Sequence, residues 1–195
     1  MIETISLIGG SGWASGINLY LVTLMLGVVG RAGWTDIPDV LQRTDVMIVA
    51  GVLFVVEFVA DKVPFLDSLW DTVHTFIRPI GAAAIGAVIA GDSDSIGAAV
   101  GAITSGLLAL DAHSAKASTR MVVNASPEPF SNAGVSLAED VGVALLITLA
   151  VSYPVITIVV VILLVIGATA LTVWLWSSVR KAWRRVKERF PRIQF

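Results

Sequence analysis

The residues whose types and spacing could do chemistry are concentrated between positions 57 and 78. Glu57 and Asp61 are four residues apart, so they would lie on one face of a helix. Beyond Pro64 a new helix can begin, and its ionisable residues follow at spacings of four, three and four: Asp67, Asp71, His74 and Arg78. Carboxylates and an imidazole in one stripe can move protons or bind hard divalent cations, as in ion-coupled carriers and proton relays.

A second set of ionisable residues lies in the second half of the chain and supplies more charges of both signs: Asp111, His113, Lys116, Arg120, Glu139 and Asp140. Together with Arg78, the basic members argue against a simple cation sink, because they would suit an anionic substrate or a lipid phosphate equally well. The two sets form either a polar pathway or a buried ionic lattice that fixes the register of the helices. The sequence does not specify a metal, and it predicts no cofactor.

The elements that must position these residues are membrane helices. The chain has 195 residues, of which 56% are hydrophobic and 14% charged, whereas soluble domains carry about 45–50% apolar and about 25% charged residues. A bilayer span needs roughly 20 mainly apolar residues. We therefore predict an all-α, polytopic helical bundle with about six spans, at residues 14–29, 45–60, 69–90, 96–110, 137–153 and 155–178. This transmembrane domain (residues 1–178) leaves a basic tail at 179–195 and no room for a sizeable soluble domain.

The distribution of positive charge predicts the orientation of the bundle. The tail is strongly basic and is expected on the cytoplasmic side of the inner membrane: Arg180, Lys181, Arg184, Arg185, Lys187, Arg189 and Arg192. With six spans, both termini are then cytoplasmic, and the acidic turn of Asp92 and Asp94 lies outside. Val179, Trp183, Val186 and Phe190 recur at helical spacing in the tail, which favours contact with an anionic inner leaflet. No nucleic-acid partner is expected.

A weak internal repeat relates residues 1–91 to residues 92–178. One constant offset places Ser15-Gly16 on Ser105-Gly106 and Pro64 on Pro154. Three helices per half would make the second copy inverted in the membrane, an arrangement typical of transporters with broken helices near the midplane. The candidates for such breaks are Ser15, Gly16, Asn18, Ser105 and Gly106. The alternative is that these small residues only allow helices to pack closely.

The sequence lacks the residues for two kinds of site, those that use cysteine and those that use a protease nucleophile. There are no cysteines, which excludes disulfides and thiolate metal sites. The stretch from Gly12 to Gly16 is one residue too long for a Gly-x-Ser-Gly protease motif, and a nucleophile also needs a positioned base. We therefore do not expect an enzyme.

Several motifs carry a resemblance to a known family. They are residues 57–79, Ala112-His113-Ser114-Ala115-Lys116-Ala117-Ser118-Thr119-Arg120, Asn124-Ala125-Ser126-Pro127-Glu128-Pro129 and Ser136-Leu137-Ala138-Glu139-Asp140. With these the chain resembles, from about residue 15 to 154, a bacterial membrane-protein family catalogued as domain of unknown function 4126. The resemblance implies a compact helical membrane protein and supplies no activity.

Two functional hypotheses follow from these observations. The first is a small transporter or channel, cation- or proton-linked, with the ionisable stripe on its path and a small ion or anionic substrate. The second is a non-catalytic assembly or lipid-interacting membrane protein in which the same charges form a lattice. Either protein is compatible with a homo-oligomer.

Overall fold

The computed structural model describes residues 1–63, 66–91, 95–124 and 129–189. Pro64, the acidic turn of Asp92 and Asp94, and the tail residues Phe190 and Arg192 lie outside these ranges. The described chain is helical, without strands, and its helices are α1 (Ile2–Arg31), α2 (Asp39–Gln42), α3 (Thr44–Ala60), α4 (Leu66–Ala90), α5 (Ser95–Val123), α6 (Pro129–Ser152) and α7 (Pro154–Arg189).

The predicted helical membrane bundle is confirmed. Five helices, α1, α4, α5, α6 and α7, are long and apolar enough to cross a membrane. α3 has 17 residues, which is the lower end of the range of about 17–25 that spans a bilayer. Length and composition do not show whether a helix crosses the membrane in one straight segment, and α1 does not.

α1 is broken at Asn18, whose φ of −149° and ψ of 96° are not helical. The backbone N–H of Leu21 donates a hydrogen bond of 2.9 Å to the side-chain oxygen of Asn18. Asn18 is therefore the N-cap of a new helix. We call the part before the break α1a (residues 2–17) and the part after it α1b (residues 19–31).

The two parts of α1 run in opposite directions along the bundle. α1a is parallel to α5, because Ile8 contacts Ser105 near the start of α5 while Ile17 contacts Lys116 near its end. α1b is antiparallel to α3, since the Arg31 guanidinium donates to the hydroxyl of Thr44, where α3 begins.

Both ends of α1 consequently lie at one end of the bundle. A cavity of about 810 Å³ is lined jointly by Glu3 and Leu7 of α1a, by residues 35–40 after α1b, and by residues 87–91 at the end of α4. A straight 30-residue helix would separate its ends by about 45 Å, so α1 is a re-entrant hairpin with its tip at Asn18. The predicted span at residues 14–29 is thus corrected to the tip and return arm of this hairpin.

Because of the hairpin, the N-terminus and the end of α7 lie at opposite ends of the bundle. The Ser6 hydroxyl donates to the backbone oxygen of Ala150, which places the N-terminus beside the turn between α6 and α7. α7 then carries the chain to the opposite end of the bundle. The expectation that both termini share one side does not fit this arrangement, because counting basic residues cannot detect a helix that turns back.

Small residues allow the helices around α1a to touch through their backbones. A Cβ on Gly16 would collide with the carbonyl oxygen of Ala109, and one on Gly86 would collide with that of Gly101. Ser105 and Gly106, predicted as a second break, lie within the uninterrupted helix α5. Close packing, the alternative interpretation, therefore accounts for them.

The directions of the helices bear on the predicted repeat. α3 and α6 run in opposite directions, as do α4 and α7, which an inverted repeat requires. α1a, which carries Ser15 and Gly16, runs parallel to α5 and cannot be its inverted copy. The inverted repeat stays a prediction for the chain from α1b onward.

Candidate functional site

Polar side chains from five helices meet at the tip of the hairpin in one group, which we call the charged cluster. Its members come from α3, α4, α5 and α6 around Asn18 of α1, and they are Glu57, Asp61, Asp67, Asp71, His74, Arg78, His113, Lys116, Arg120, Glu139 and Asp140. The structure thus brings together all of the predicted ionisable residues except Asp111.

Arg78 lies at the centre of the cluster and is fully buried. One of its terminal nitrogens is 2.5 Å from Glu57 Oε1, and the other is 3.1 Å from Asp71 Oδ1. Asp71 and Arg78 share the polar face of α4, whereas Glu57 reaches them from the last turn of α3. An arginine that contacts two carboxylates in this way joins the two helices.

Lys116 of α5 joins three acidic groups. Its Nζ lies 2.8 Å from Asp61, 3.6 Å from Glu139 and 3.8 Å from Glu57. The side chain is 1% exposed, so these ion pairs are screened little by solvent.

Arg120, one turn further along α5, holds the outer part of the cluster together. It lies 2.6 Å from Glu139, 3.5 Å from Asp61 and 3.8 Å from Asp67. It also donates to the side-chain oxygen of Asn132. All three buried cations therefore have at least two carboxylate partners each.

The break in α1 adds backbone oxygens to this site. Because the helix stops at Asn18, the carbonyl groups just before the break lack their usual intrahelical partners. The Gly16 oxygen accepts a hydrogen bond from Arg78 at 3.2 Å, and the Ile17 oxygen accepts one from Lys116 at 3.2 Å. Non-helical backbone at membrane depth is tolerated only where protein or water covers it, and here Asn18 is 1% exposed.

The two histidines have different hydrogen-bond roles. Arg78 can only donate, so at 2.7 Å it requires the Nδ1 atom of His113 to be an unprotonated acceptor. The Nδ1–H of His74 donates to the Trp70 carbonyl, and its Nε2 lies 2.9 Å from the Tyr20 hydroxyl. A hydroxyl can donate or accept, so His74 can gain a proton without losing either contact.

The cluster carries an excess of acidic groups. Among the described residues, six carboxylates (Glu57, Asp61, Asp67, Asp71, Glu139 and Asp140) surround three buried cations (Arg78, Lys116 and Arg120). With every carboxylate ionised and both histidines neutral, the cluster would hold three more negative than positive charges, and the half-buried Lys62, which interacts with Asp61 and Asp140, lowers this excess to two. Uncompensated charge in a membrane interior costs several kcal/mol per group, so this excess must be offset by bound protons, by a cation or by contact with water at the end of the bundle.

The cluster extends from one end of the bundle to its middle. Asp67 lies in the first turn of α4, whereas Arg78 is near the centre of that helix. At a rise of 1.5 Å per residue these positions are about 16 Å apart, roughly half of a hydrocarbon core of about 30 Å. We call this end of the bundle the charged end. Within the described ranges, no three His, Asp or Glu side chains are placed to hold a metal ion together.

Comparison with known proteins identifies the chain at the level of a family. The model of a family described as "Domain of unknown function (DUF4126)" matches residues 5–176. The chain belongs to this family. No curated protein and no solved structure matches this DUF4126 protein.

Asp111 of this DUF4126 protein lies away from the charged cluster. Its carboxylate accepts a hydrogen bond of 2.7 Å from the Thr169 hydroxyl of α7, and it lines a separate groove between α5 and α7. Asp111 is two residues before His113, which corresponds to about 200° around a helix. The two side chains therefore face different neighbours.

Sequence reasoning missed the uncharged members of the site. Tyr20, Asn132 and Asn124 contact His74, Arg120 and Asp67 respectively. Neutral side chains give no charge signal, and the sequence does not show which of them reach the cluster. Only Asn124 could have been singled out, because it belongs to a motif that carries the family resemblance.

Proposed function

We propose that this protein is a small secondary transporter in which the charged cluster binds the transported or coupling ion. The observation that carries the proposal is the hairpin tip, which places broken-helix carbonyls against Arg78 and Lys116 inside a buried cluster. Discontinuous helices that meet at the midplane with ionisable groups are the usual construction of ion sites in secondary transporters. The excess of carboxylates supports a cation or proton as the bound species.

A static lattice is the second candidate, and one observation favours it. Each buried cation has two or more carboxylate partners, which is what an arrangement that only fixes helix register needs. A lattice would be served equally well by balanced charges, however. The excess of acidic groups is not needed in a lattice, so it adds to the support that the hairpin tip gives to transport.

Asp71→Asn separates the two candidates. Arg78 keeps Glu57 at 2.5 Å when Asp71 is neutralised, so no cation is left without a partner. Purified protein in liposomes would be screened for movement of protons and monovalent and divalent cations, under a pH gradient and an ion gradient in turn. We expect Asp71→Asn to lower flux at least tenfold while its melting temperature in detergent stays within a few degrees of the wild type.

Asp111→Asn is the matched control for this experiment. It removes a carboxylate at similar depth on α5 that lies outside the cluster, so flux should be unchanged. Wild-type protein that moves none of these ions, or Asp71→Asn that keeps full flux, would favour the lattice.

The orientation and the tail belong to the same proposal. We place the charged end in the cytoplasm because the basic residues of α7 lie at this end of the bundle, and basic segments favour the cytoplasmic side. The N-terminus, at the opposite end, would then be outside. In the tail, Trp183 and four basic residues are exposed: Arg180, Lys181, Arg184 and Arg185. Such a surface suits an anionic inner leaflet, where each nearby basic residue contributes about 1 kcal/mol.

A further inference from the structure

An apolar groove opens from the charged cluster toward the lipid between α1a, α6 and α7. It has a volume of about 530 Å³, and most of its lining is aliphatic, including Ile17, Val143, Leu146 and Leu164. Three residues of other chemistry line it as well: the acidic Glu139, the aromatic Trp13 and the hydroxyl-bearing Thr119. Glu139 thus connects the cluster with a cavity of the size that binds small ligands, about 300–1,000 Å³.

Glu139 can change partners without leaving a buried cation alone. Arg120 also contacts Asp61 and Asp67, and Lys116 also contacts Asp61 and Glu57. Glu139 is 15% exposed, whereas Lys116 and Arg120 are 1% and 2% exposed. The acid is therefore the charged group that a molecule in the groove would meet first.

We infer that this groove binds a hydrophobic organic cation, with Glu139 as its counter-charge and Trp13 as an aromatic contact. The inference rests on the proposed function and names the substrate class of the same site. The aliphatic walls suit the apolar body of such a molecule, and a cation is attracted to the face of an indole ring. A bound cation would also offset part of the acidic excess of the cluster, whereas an anion would add to it.

Binding is tested with tetraphenylphosphonium and tetraphenylborate, which have nearly the same shape and opposite charge. Equilibrium dialysis on purified protein in detergent measures both without any gradient. We expect the cation to bind at least tenfold more tightly than the anion. Glu139→Gln should weaken cation binding at least tenfold, and Trp13→Leu should weaken it several-fold.

Two further variants make the test independent of the stability of the cluster. Gly142 lines the groove, and a Cβ there would meet open space, so Gly142→Leu fills the groove and leaves Glu139 intact. It should reduce binding as well. Asp111→Asn removes an acid that lines a different groove and should change nothing.

The following results for the probes and variants would overturn the inference. Equal or tighter binding of tetraphenylborate would show an anion-selective groove. Unchanged binding in Glu139→Gln would show unspecific partitioning of the probe, and equal losses in Glu139→Gln and Asp111→Asn would show a general effect of negative charge. Unchanged binding in Gly142→Leu would place the probe elsewhere. Because binding is measured without transport, saturable cation binding in a protein that moves no ion would refute only the proposed function.

Discussion

Asn18 and Asp140 are joined by a hydrogen bond of 2.9 Å although 122 residues separate them in sequence. The amide nitrogen of Asn18 donates to Asp140, while its oxygen caps α1b by accepting from Leu21. One side chain therefore both starts the second arm of the hairpin and fixes its tip to α6. An amide can do this because it carries a donor and an acceptor together.

Asn18→Ala is expected to destabilise the protein by about 1–3 kcal/mol, because it removes a helix cap and leaves a buried carboxylate without its donor. Asn18→Ser keeps a capping oxygen and should lose less than the alanine variant. Thermal unfolding in detergent would measure both. Equal stability of the alanine variant and the wild type would contradict the role assigned to Asn18.

The hairpin predicts that the two termini lie on opposite sides of the membrane. Reporters of compartment fused at Met1 and at Phe195 should give opposite signals, with the C-terminal one cytoplasmic. A third fusion, in the connection between α5 and α6, should agree with the C-terminal one. The same signal from both termini would show that α1 crosses the membrane.

Gly16→Ala is expected to cost about 1–3 kcal/mol by overpacking. Its new methyl group would collide with the backbone of α5 at Ala109, which cannot move as a flexible side chain could. Gly134→Ala is the control, because a Cβ at Gly134 meets open space. Because alanine is more favourable than glycine in a helix by up to about 1 kcal/mol, Gly134→Ala should not lose stability. If the two variants lose stability equally, the contact between α1a and α5 is not tight.

Arg78→Met should destabilise the protein by about 3–5 kcal/mol, because removing one partner of a buried ion pair leaves the other charges uncompensated. Adding Glu57→Gln to Arg78→Met removes one of those charges, so the double variant should be more stable than the single one. Unfolding in detergent of the two single variants and the double variant gives the coupling energy. Additive losses would show that the two side chains do not interact.

The two histidines should respond differently to pH. Nitrogen NMR of labelled protein in detergent should show His113 neutral, with Nδ1 unprotonated, from pH 5 to 8, since Arg78 can only donate to that atom. As the pH is lowered, His74 should take up a proton before His113 does, because both hydrogen bonds of His74 survive protonation. Tyr20→Phe should alter the His74 signals alone. A change of protonation at His113 before His74 would contradict the hydrogen-bond roles described above.

Much of the cluster could be predicted because helical spacing encodes which side chains share a face. The spacing of four, three and four from Asp67 to Arg78 correctly placed these residues on one buried side of α4. The same rule should have excluded Asp111, since a separation of two residues turns the side chain to a different face. Its inclusion followed from its position in sequence alone.

The hairpin could not be predicted from the sequence with the same rule. The stretch around Asn18 is apolar and rich in glycine, which suits a continuous span, a broken helix or a re-entrant arm equally well. Which conformation this stretch adopts depends on Asp140, Lys116 and Arg78, which contact the break from distant parts of the chain. Only tertiary contacts distinguish the three conformations.

The hairpin has a consequence for the order in which the protein is made. α1 leaves the ribosome before the groups that cover its break, and Asp140 comes 122 residues after Asn18. A break with unsatisfied backbone groups is not stable in lipid. The nascent α1 must therefore wait at the membrane surface or in contact with the insertion machinery until α6 has entered. α1 is synthesised before α6 and reaches its native position after it.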